Sequence, residues 1–586
     1  MSKHVVKTPH AAVLIWNYND RVGVPNGDFE SSGVKPENLT KIEKDVVPVI
    51  VSTLSCVSIQ TQKSKGRPDG SFNLVLAPYK NWTSTLTAGS WCCLLMSNEP
   101  ITENDLKSAD KNKVKMFGRI ESVRCETKVD ADGARQTLYY VTGTDWGDIF
   151  NSILYVDNLI KGPNDKGNNQ GDVMALALRS LLFGDNGSPK AHYVNQLLTS
   201  ILEIMGHSLE GYTAKSTDVG RLAGSIYEFI LPDDIIKYFD FRDVVGNKIS
   251  GKSINNFIKL LSGSLIGQDK YADSNESQGF IDPFSLQGTH SFWQILLENS
   301  NPALNEMLCD FKWHDKGGVS FVLYNRIKPF SYKDFNSKSY SNTSFKSYFQ
   351  LVKTNIIEDV EVISVNAGTN WRDKINFIEI KPNFSEFKVV SNWQKQKSQV
   401  FDPQAFKREG FRAMIIDTKQ FPSVNSGQVS TVDSYGIDWS KLEVWAKIMR
   451  EWYFGTHRML NGTITIHGTT PYIGVGENIR FDAGLLNPTP NINKGTILKK
   501  KNQFILAHIE TVQHSFTVDD GGARSYRTTI QFVRGMVVNG NNEPVGEGIL
   551  DQDATAVDQH ADRNQLNTIS TSDINNDPDP QKAKGT

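Results

Sequence analysis

The segment HIETVQH, residues 508–514, carries the two histidines whose proximity most invites a metal. Six residues apart on a strand, His508 and His514 share one face but stand some 20 Å apart at roughly 3.4 Å per residue. One zinc ion cannot bridge that gap, and His457 and His467 are similarly remote from each other. In GVGENIRF, Gly474 and Gly476 lack the third glycine of a dinucleotide fingerprint and sit between strands rather than at a helix start. A P-loop, HExxH, GxSxG and an EF-hand loop are all absent. Aspartates and glutamates are scattered, and nothing marks one pair as the acid and nucleophile of a glycosidase. The five cysteines are Cys56, Cys92, Cys93, Cys125 and Cys309. Their number is odd and no CxxC occurs, which argues against a disulfide framework or a thiolate zinc site. They read instead as small buried apolar residues. The expectation is therefore no catalytic residue, no cofactor-binding residue, no metal ligand, no cofactor and no enzyme.

What remains is scaffold. At 586 residues the chain has room for about three or four domains of roughly 150 residues each. It is 39% apolar and 22% charged, with a net charge of −2, so nothing marks a general binder of nucleic acid or membrane surfaces. A channel lined with one sign of charge remains compatible with that balanced total. The 11 tryptophans read as anchors of cores and interfaces. The first residues hold an apolar run of only AAVLIW, too short for a secretion signal, and no run of about 18 apolar residues occurs. Synthesis in a cytoplasm without a membrane anchor of its own is expected.

Residues 1–36 read as an N-terminal arm, ending in the turn-rich GVPNGDFESSGVKPEN. Residues 37–145 read as β. In SFNLVLAP, Phe72, Leu74 and Leu76 face one way while Ser71, Asn73, Val75 and Ala77 face the other. Residues 78–88 form a short helix or a loop, and AGSWCCLLM is a strand apolar on both faces, which suits one covered on both sides. Asp132-Gly133 marks a hairpin between KMFGRIESVRCET and QTLYYVTG. Short strands at regular intervals predict a small antiparallel barrel or sandwich.

Residues 146–350 read as an α+β insertion. Helical spacing is expected in DWGDIFNSILYVDNLI, DVMALALRSLLF, YVNQLLTSILEIM and THSFWQILLENS. It is also expected in NPALNEMLCDF, with Asn301 as N-cap and Pro302 at the first helical position. GVSFVLYNRIKPF then reads as a strand. Residues 351–400 return to β, and 401–455 hold a helical insertion. There Ser440 and Glu443 form a capping box, Leu442, Trp445, Met449 and Trp452 one stripe, and Gly455 a C-terminal cap. Residues 456–538 are β again. Beyond Phe532 there is no aromatic, and from residue 551 there are seven Asp against two Lys and one Arg. Such a tail, 539–586, does not fold alone; it is either disordered or a strap that orders on a partner.

The order of these segments resembles the baseplate central hub proteins of contractile phage tails, including the late-control D type and the spike-carrying hubs of type VI secretion. The resemblance rests on FNLVLAP, GSWCCLLM and MFGRIESV, then on a strand ending in a Gly-x-Asp-Trp turn: Gly143, Asp145 and Trp146, followed by Ile149 and Phe150. It continues through NPALNEMLCDF, the Arg326, Pro329, Phe330 ending of FVLYNRIKPF, NFIEI, REGFR around Gly410, and HIETVQHSFT with RTTIQFVRG. It spans about residues 40–538; the long middle domain, the arm and the acidic tail depart from the pattern.

The resemblance implies a mostly β, α+β fold with two tail-tube-like antiparallel β-barrel domains, 37–145 and 351–400 plus 456–538, carrying the insertions 146–350 and 401–455. It implies a structural protein of the virion, a homotrimer whose six barrels form a ring. That ring would join the tail spike protein to the tail tube protein around a channel for DNA passage during genome ejection, with the tape measure and baseplate wedge proteins as further partners. DNA is then a passenger, not a ligand. The alternatives are a tail-borne cell-wall hydrolase and another structural protein of the baseplate, such as a wedge.

Overall fold

The computed structural model describes residues 8–17, 47–156, 289–328, 352–382, 399–418, 449–486 and 503–542 with short breaks, and four isolated two-residue strands. The described residues are mostly β. The first seven strands are β1 (His10–Asn17), β2 (Val47–Val51), β3 (Cys56–Ser64), β4 (Ser71–Leu76), β5 (Trp91–Ser97), β6 (Val114–Val129) and β7 (Arg135–Asp145). They run β3-β4-β7-β6-β5-β1-β2, antiparallel throughout.

The alternation expected in SFNLVL is present: Phe72, Leu74 and Leu76 are buried, and Ser71 and Asn73 exposed. β5 is buried at every position, because β1 covers one edge, β6 the other, and core both faces. Residues 10–17 of the arm are thus a core strand, whose apolar AAVLIW has found a sheet to complete. Gly133, at φ +80°, turns the β6–β7 hairpin, a conformation that glycine adopts without a Cβ clash. Between β4 and β5 a single helical turn, α1 (Trp82–Thr85), is capped by Asn81, and the Trp82 indole donates to the Ala77 carbonyl.

Two strands from the middle region form a hairpin: β8 (Asn305–Trp313) and β9 (Val319–Ile327), joined through nine residue pairs. This corrects the expected helix in NPALNEMLCDF. The residues of β8 that the sequence offers as helical neighbours, Glu306 and Asp310, also share one face of a strand, and pairing with the apolar β9 decides between the two. THSFWQILLENS does form a helix, α2 (Phe292–Asn299), with Ser291 and Gln294 closing a capping box. The helix expected from Asp145 onward is brief: a 3-10 turn at Trp146–Asp148, Ile149–Ser152, then a strand at Leu154–Val156. The two other long helices expected before residue 206 lie outside the described residues, as do Ser440, Leu442, Glu443 and Trp445.

The remaining strands are β10 (Thr354–Ile356), β11 (Val362–Gly368), β12 (Phe377–Pro382), β13 (Gln399–Phe401), β14 (Ala413–Thr418), β15 (Leu460–His467), β16 (Asn478–Asp482), β17 (Phe504–Val518) and β18 (Arg524–Val538). β12, β13 and β14 make a separate three-stranded sheet beside α3 (Pro403–Glu409), which Asp402 caps and Gly410 ends. The others continue the large sheet as β11-β15-β18-β17, with β16 attached to β17 and β10 attached in turn to β16. β17 then pairs with β3 over seven positions, from Thr511↔Ser64 to Thr517↔Ser58. That pairing fuses both β-modules into one thirteen-stranded sheet. Neither module closes into a hydrogen-bonded barrel among the described strands; each curls over its own core. One core gathers Val13, Leu74, Leu94 and Val141, the other Ile464, Ile479, Ile509 and Phe532.

Candidate functional site

Where the two modules meet, one face of the β3–β17 pair is polar yet buried. β3 turns Thr61, Lys63 and, just past its end, Lys65 to this face, and β17 turns His514; His508 lies beyond a bulge of β17, where that strand pairs with β16. A lysine ammonium in an apolar interior carries a large desolvation cost unless a carboxylate meets it. Carboxylates arrive from three directions. Asp145, at the end of β7, holds Lys63 at 2.5 Å; both side chains are almost wholly buried. From β8, Glu306 lies 3.0 Å from Lys65 and 2.9 Å from Nε2 of His508, and Glu510 of β17 lies 2.5 Å from Lys65. Nδ1 of His508 is 3.0 Å from the side-chain oxygen of Asn478. Four residues beyond Glu306, Asp310 accepts from the Tyr472 hydroxyl and, at 2.8 Å, from the Phe311 backbone N–H.

The hairpin is therefore a strut across both modules. Its Leu308 belongs to the core of the second. Its Phe321 enters the first, stacking on Trp146 at 4.6 Å and on Phe117 at 5.7 Å, with Trp91 stacked on Phe117 at 5.0 Å.

This arrangement explains the Gly-x-Asp-Trp turn. A Cβ on Gly143 would run into the Arg119 carbonyl and the Phe72 ring. Asp145 supplies the partner of Lys63 and accepts from the Gly147 N–H at 3.0 Å, which fixes the turn. Trp146 is the stacking plate for the hairpin. Phe150 is buried beside it, 6.3 Å away.

Burial works against the Lys63 charge, but Asp145 and Asp310 outweigh it and raise its pKa. Burial pushes the Asp310 carboxyl up to about 6, against the opposing pull of Lys63 and of the Tyr472 hydrogen bond. Burial, then Asp310, push the Tyr472 phenol well above its usual range. Burial and then Lys115 hold His514 well below the usual histidine value. The space between Thr61, Lys63, Lys115, Tyr472 and His514 is about 10 Å³, room for at most one water.

The even spacing of His508 and His514 predicts one shared face, but the β-bulge between Ile509 and Thr511 reverses the alternation: Ala507 and Ile509 before it and Val512 after it belong to the same core, so His514 lies on the core side and His508 on the other. The two rings serve different neighbours; His514 contacts the Thr528 hydroxyl at 3.0 Å. Among the described residues no three His, Cys, Asp or Glu side chains converge as metal ligands. Cys56, Cys92, Cys93 and Cys309 are buried and Cys125 is exposed. Gly474 belongs to the seam: a Cβ there would overlap Oδ2 of Asp310. Gly474→Ala is expected to lower stability by about 1–3 kcal/mol, as overpacking of a tight core does; a melting temperature equal to the parent's would disprove the contact. The lysines of the seam were not anticipated from sequence. The one available signal was parity, since Ile59, Thr61, Lys63 and Lys65 alternate in step.

Pro329, Phe330, the side chain of Arg326 and residues 543–586 of the acidic tail lie outside the described residues. No helix among those described is long and apolar enough to cross a membrane.

No family model matches the chain, and no curated protein matches it in sequence. Among solved structures it is similar to the tail protein from Neisseria meningitidis MC58, at 10% identity and TM-score 0.35, covering 83% of this chain and 93% of that one. The 43 kDa tail protein of prophage MuSo2 from Shewanella oneidensis is similar at 11% identity and TM-score 0.35, covering 83% and 95%. The lidded Francisella PdpA–VgrG complex is similar at 8% identity and TM-score 0.34, covering 91% of this chain and 53% of that one. Scores of this size do not establish a shared fold.

Proposed function

We propose that this chain is the structural hub of a contractile phage tail baseplate, a virion component without enzymatic activity. Three copies form a pseudo-sixfold ring that joins the spike to the tail tube and surrounds the channel through which DNA passes. The first β-module, 37–145, and the second, from 351–400 and 456–538, act as its two tube-like barrels; 146–350 and 401–455 are insertions. The observation that carries this reading is the β3–β17 pairing, which already continues one sheet through both modules of a single chain. The described path ends at β11 on one side and β2 on the other. A strand edge left unpaired is a template for another strand, so repetition of the same device between copies extends the wall into a ring. Such permanent interfaces are large and apolar. The tape measure and wedge proteins are further contacts of the ring, and the acidic tail reaches a neighbouring tail protein.

The test is the native mass of the full-length protein, alone and co-expressed with its spike and tube partners, with negative-stain images of the same peak. The expected result is a mass three times that of the chain and a ring with a channel wide enough for a duplex. A monomer under both conditions would defeat the reading. A cleared band on a peptidoglycan zymogram would reinstate the hydrolase.

A further inference from the structure

The large sheet has an open face opposite its cores, and its composition sets it apart. The strand register carries one row of side chains across six strands as Thr465, Thr529, Gln513, Gln62, Ser71 and Thr144. Ser364 of β11 precedes this row and Arg119 of β6 follows it. A neighbouring row runs from Asn366 through Gln531 and Thr511 to Ser64, and another from His467 through Ser515 and Gln60 to Ser122. Within these three rows the titratable side chains are Arg119, His467 and Arg527; every other position is Ser, Thr, Asn or Gln. Glu121 stands only at the margin, in the bulge between Ile120 and Ser122. Hydroxyls bond across strands at Ser64–Thr511 (3.1 Å), Thr465–Thr529 (3.2 Å) and Ser122–Thr142 (2.8 Å).

These positions are exposed or half-buried, while the alternate residues of the same strands are core. Solvent-facing protein surface ordinarily carries about 25–35% Lys, Arg, Asp and Glu of both signs. Here the lysines of β3 point inward to the seam, and these three rows hold no carboxylate; beyond them the same face of β6 carries the exposed Arg124, Glu126 and Lys128.

We propose that this face is the channel wall, and that the uncharged rows on its central strands β17, β3, β4 and β7 let a polyanionic duplex pass without being held. The inference rests on the hub reading. Cationic side chains on a wall bind phosphates with release of counterions, and each contact tightens the grip. A ring of carboxylates would instead raise a repulsive potential against entry. Hydroxyl and amide groups do neither, because they exchange hydrogen bonds with water on equal terms. The passenger this chemistry suits is double-stranded nucleic acid in transit.

The test is the full-length triple variant Gln62→Lys/Gln513→Lys/Thr144→Lys, assembled with its spike and tube partners and checked for native mass. The probes are a short linear fluorescent duplex and a covalently closed circular plasmid, each added after assembly. The wild type should retain neither. The variant should retain the linear duplex, with an affinity falling roughly tenfold or more between about 50 and 200 mM salt, and should not retain the circle, which cannot thread a closed channel. Equal retention of the circle would place the face on the outside and overturn the proposal. So would retention of duplex by the wild type, or an inert variant of unchanged mass. In those cases an intact wild-type ring leaves the hub reading standing; failure of the wild type to form a ring removes both.

Discussion

Lys63→Met is expected to destabilise the protein by about 3–5 kcal/mol, the usual penalty for removing one partner of a buried ion pair. The ammonium of Lys63 stands 2.5 Å from Asp145, and the Asp145 and Asp310 carboxylates together raise its pKa against the effect of burial. Without it, two carboxylates remain in an interior that neither can leave. The loss should depend on pH with a definite sign. Asp310 has a folded pKa of about 6, above its ordinary 3.8. The native state therefore binds that proton more tightly, and protonation of Asp310 stabilises the fold progressively as pH falls from about 6 towards 4. Removal of Lys63 raises this carboxyl further, so the variant should be weakest near pH 7.5 and recover part of its loss at pH 5. Asp310→Asn, which leaves the Lys63–Asp145 pair intact, should hold or gain stability at pH 7.5. Urea titrations at both pH values, followed through tryptophan fluorescence, read all three. A loss below about 1 kcal/mol at pH 7.5, or one that deepens on acidification, would remove the seam as a determinant of the fold.

Leu94→Asp should abolish soluble protein altogether. Leu94 is the midpoint of β5, opposite Val13 of β1 and Met116 of β6, and fully buried. Leu94 lies among the apolar side chains of the first core cluster, and burying an unpaired charge there costs far more than a domain's margin of stability. Leu94→Ala isolates the packing contribution and should lose about 2–5 kcal/mol while still folding. Soluble Leu94→Asp protein that still assembles would show that β5 is not the wall of the first module.

The first module was largely legible because its strands are half-buried. SFNLVL alternates, Asp132-Gly133 turns, and WCCLLM reads as covered on both faces because β1 and β6 flank it. β8 was misread for the opposite reason. Among its residues Met307, Leu308, Cys309 and Phe311 are all buried, so the two-residue period that marks a strand is erased. Its polar residues, Glu306 and Asp310, are four apart and imitate the solvent face of a helix; both are buried and belong to the seam. The seam itself was illegible because its partners come from β3, β7, β8 and β17, far apart in the chain, and no local pattern announces a lysine that points inward. The spacing of His508 and His514 implied one shared face, but the bulge of β17 between them, like the separate neighbours that each ring serves, has no signal in the sequence.

β17 divides one of its edges between two partners: Phe504–His508 pair with β16, and Thr511–Thr517 pair with β3. The Ser64–Thr511 contact spans 447 residues of chain. During synthesis, β3 emerges early and keeps a bare edge until β17 leaves the ribosome near the end. For most of that interval the first module can bury its core but cannot finish its sheet, and an open edge in a nascent chain invites pairing with the wrong strand. Closing so distant a pair makes for slow folding. Docking of β17 onto β3 is thus expected to be the slow step in folding of this chain, seen as a late phase in refolding that a chain cut off before β17 would lack.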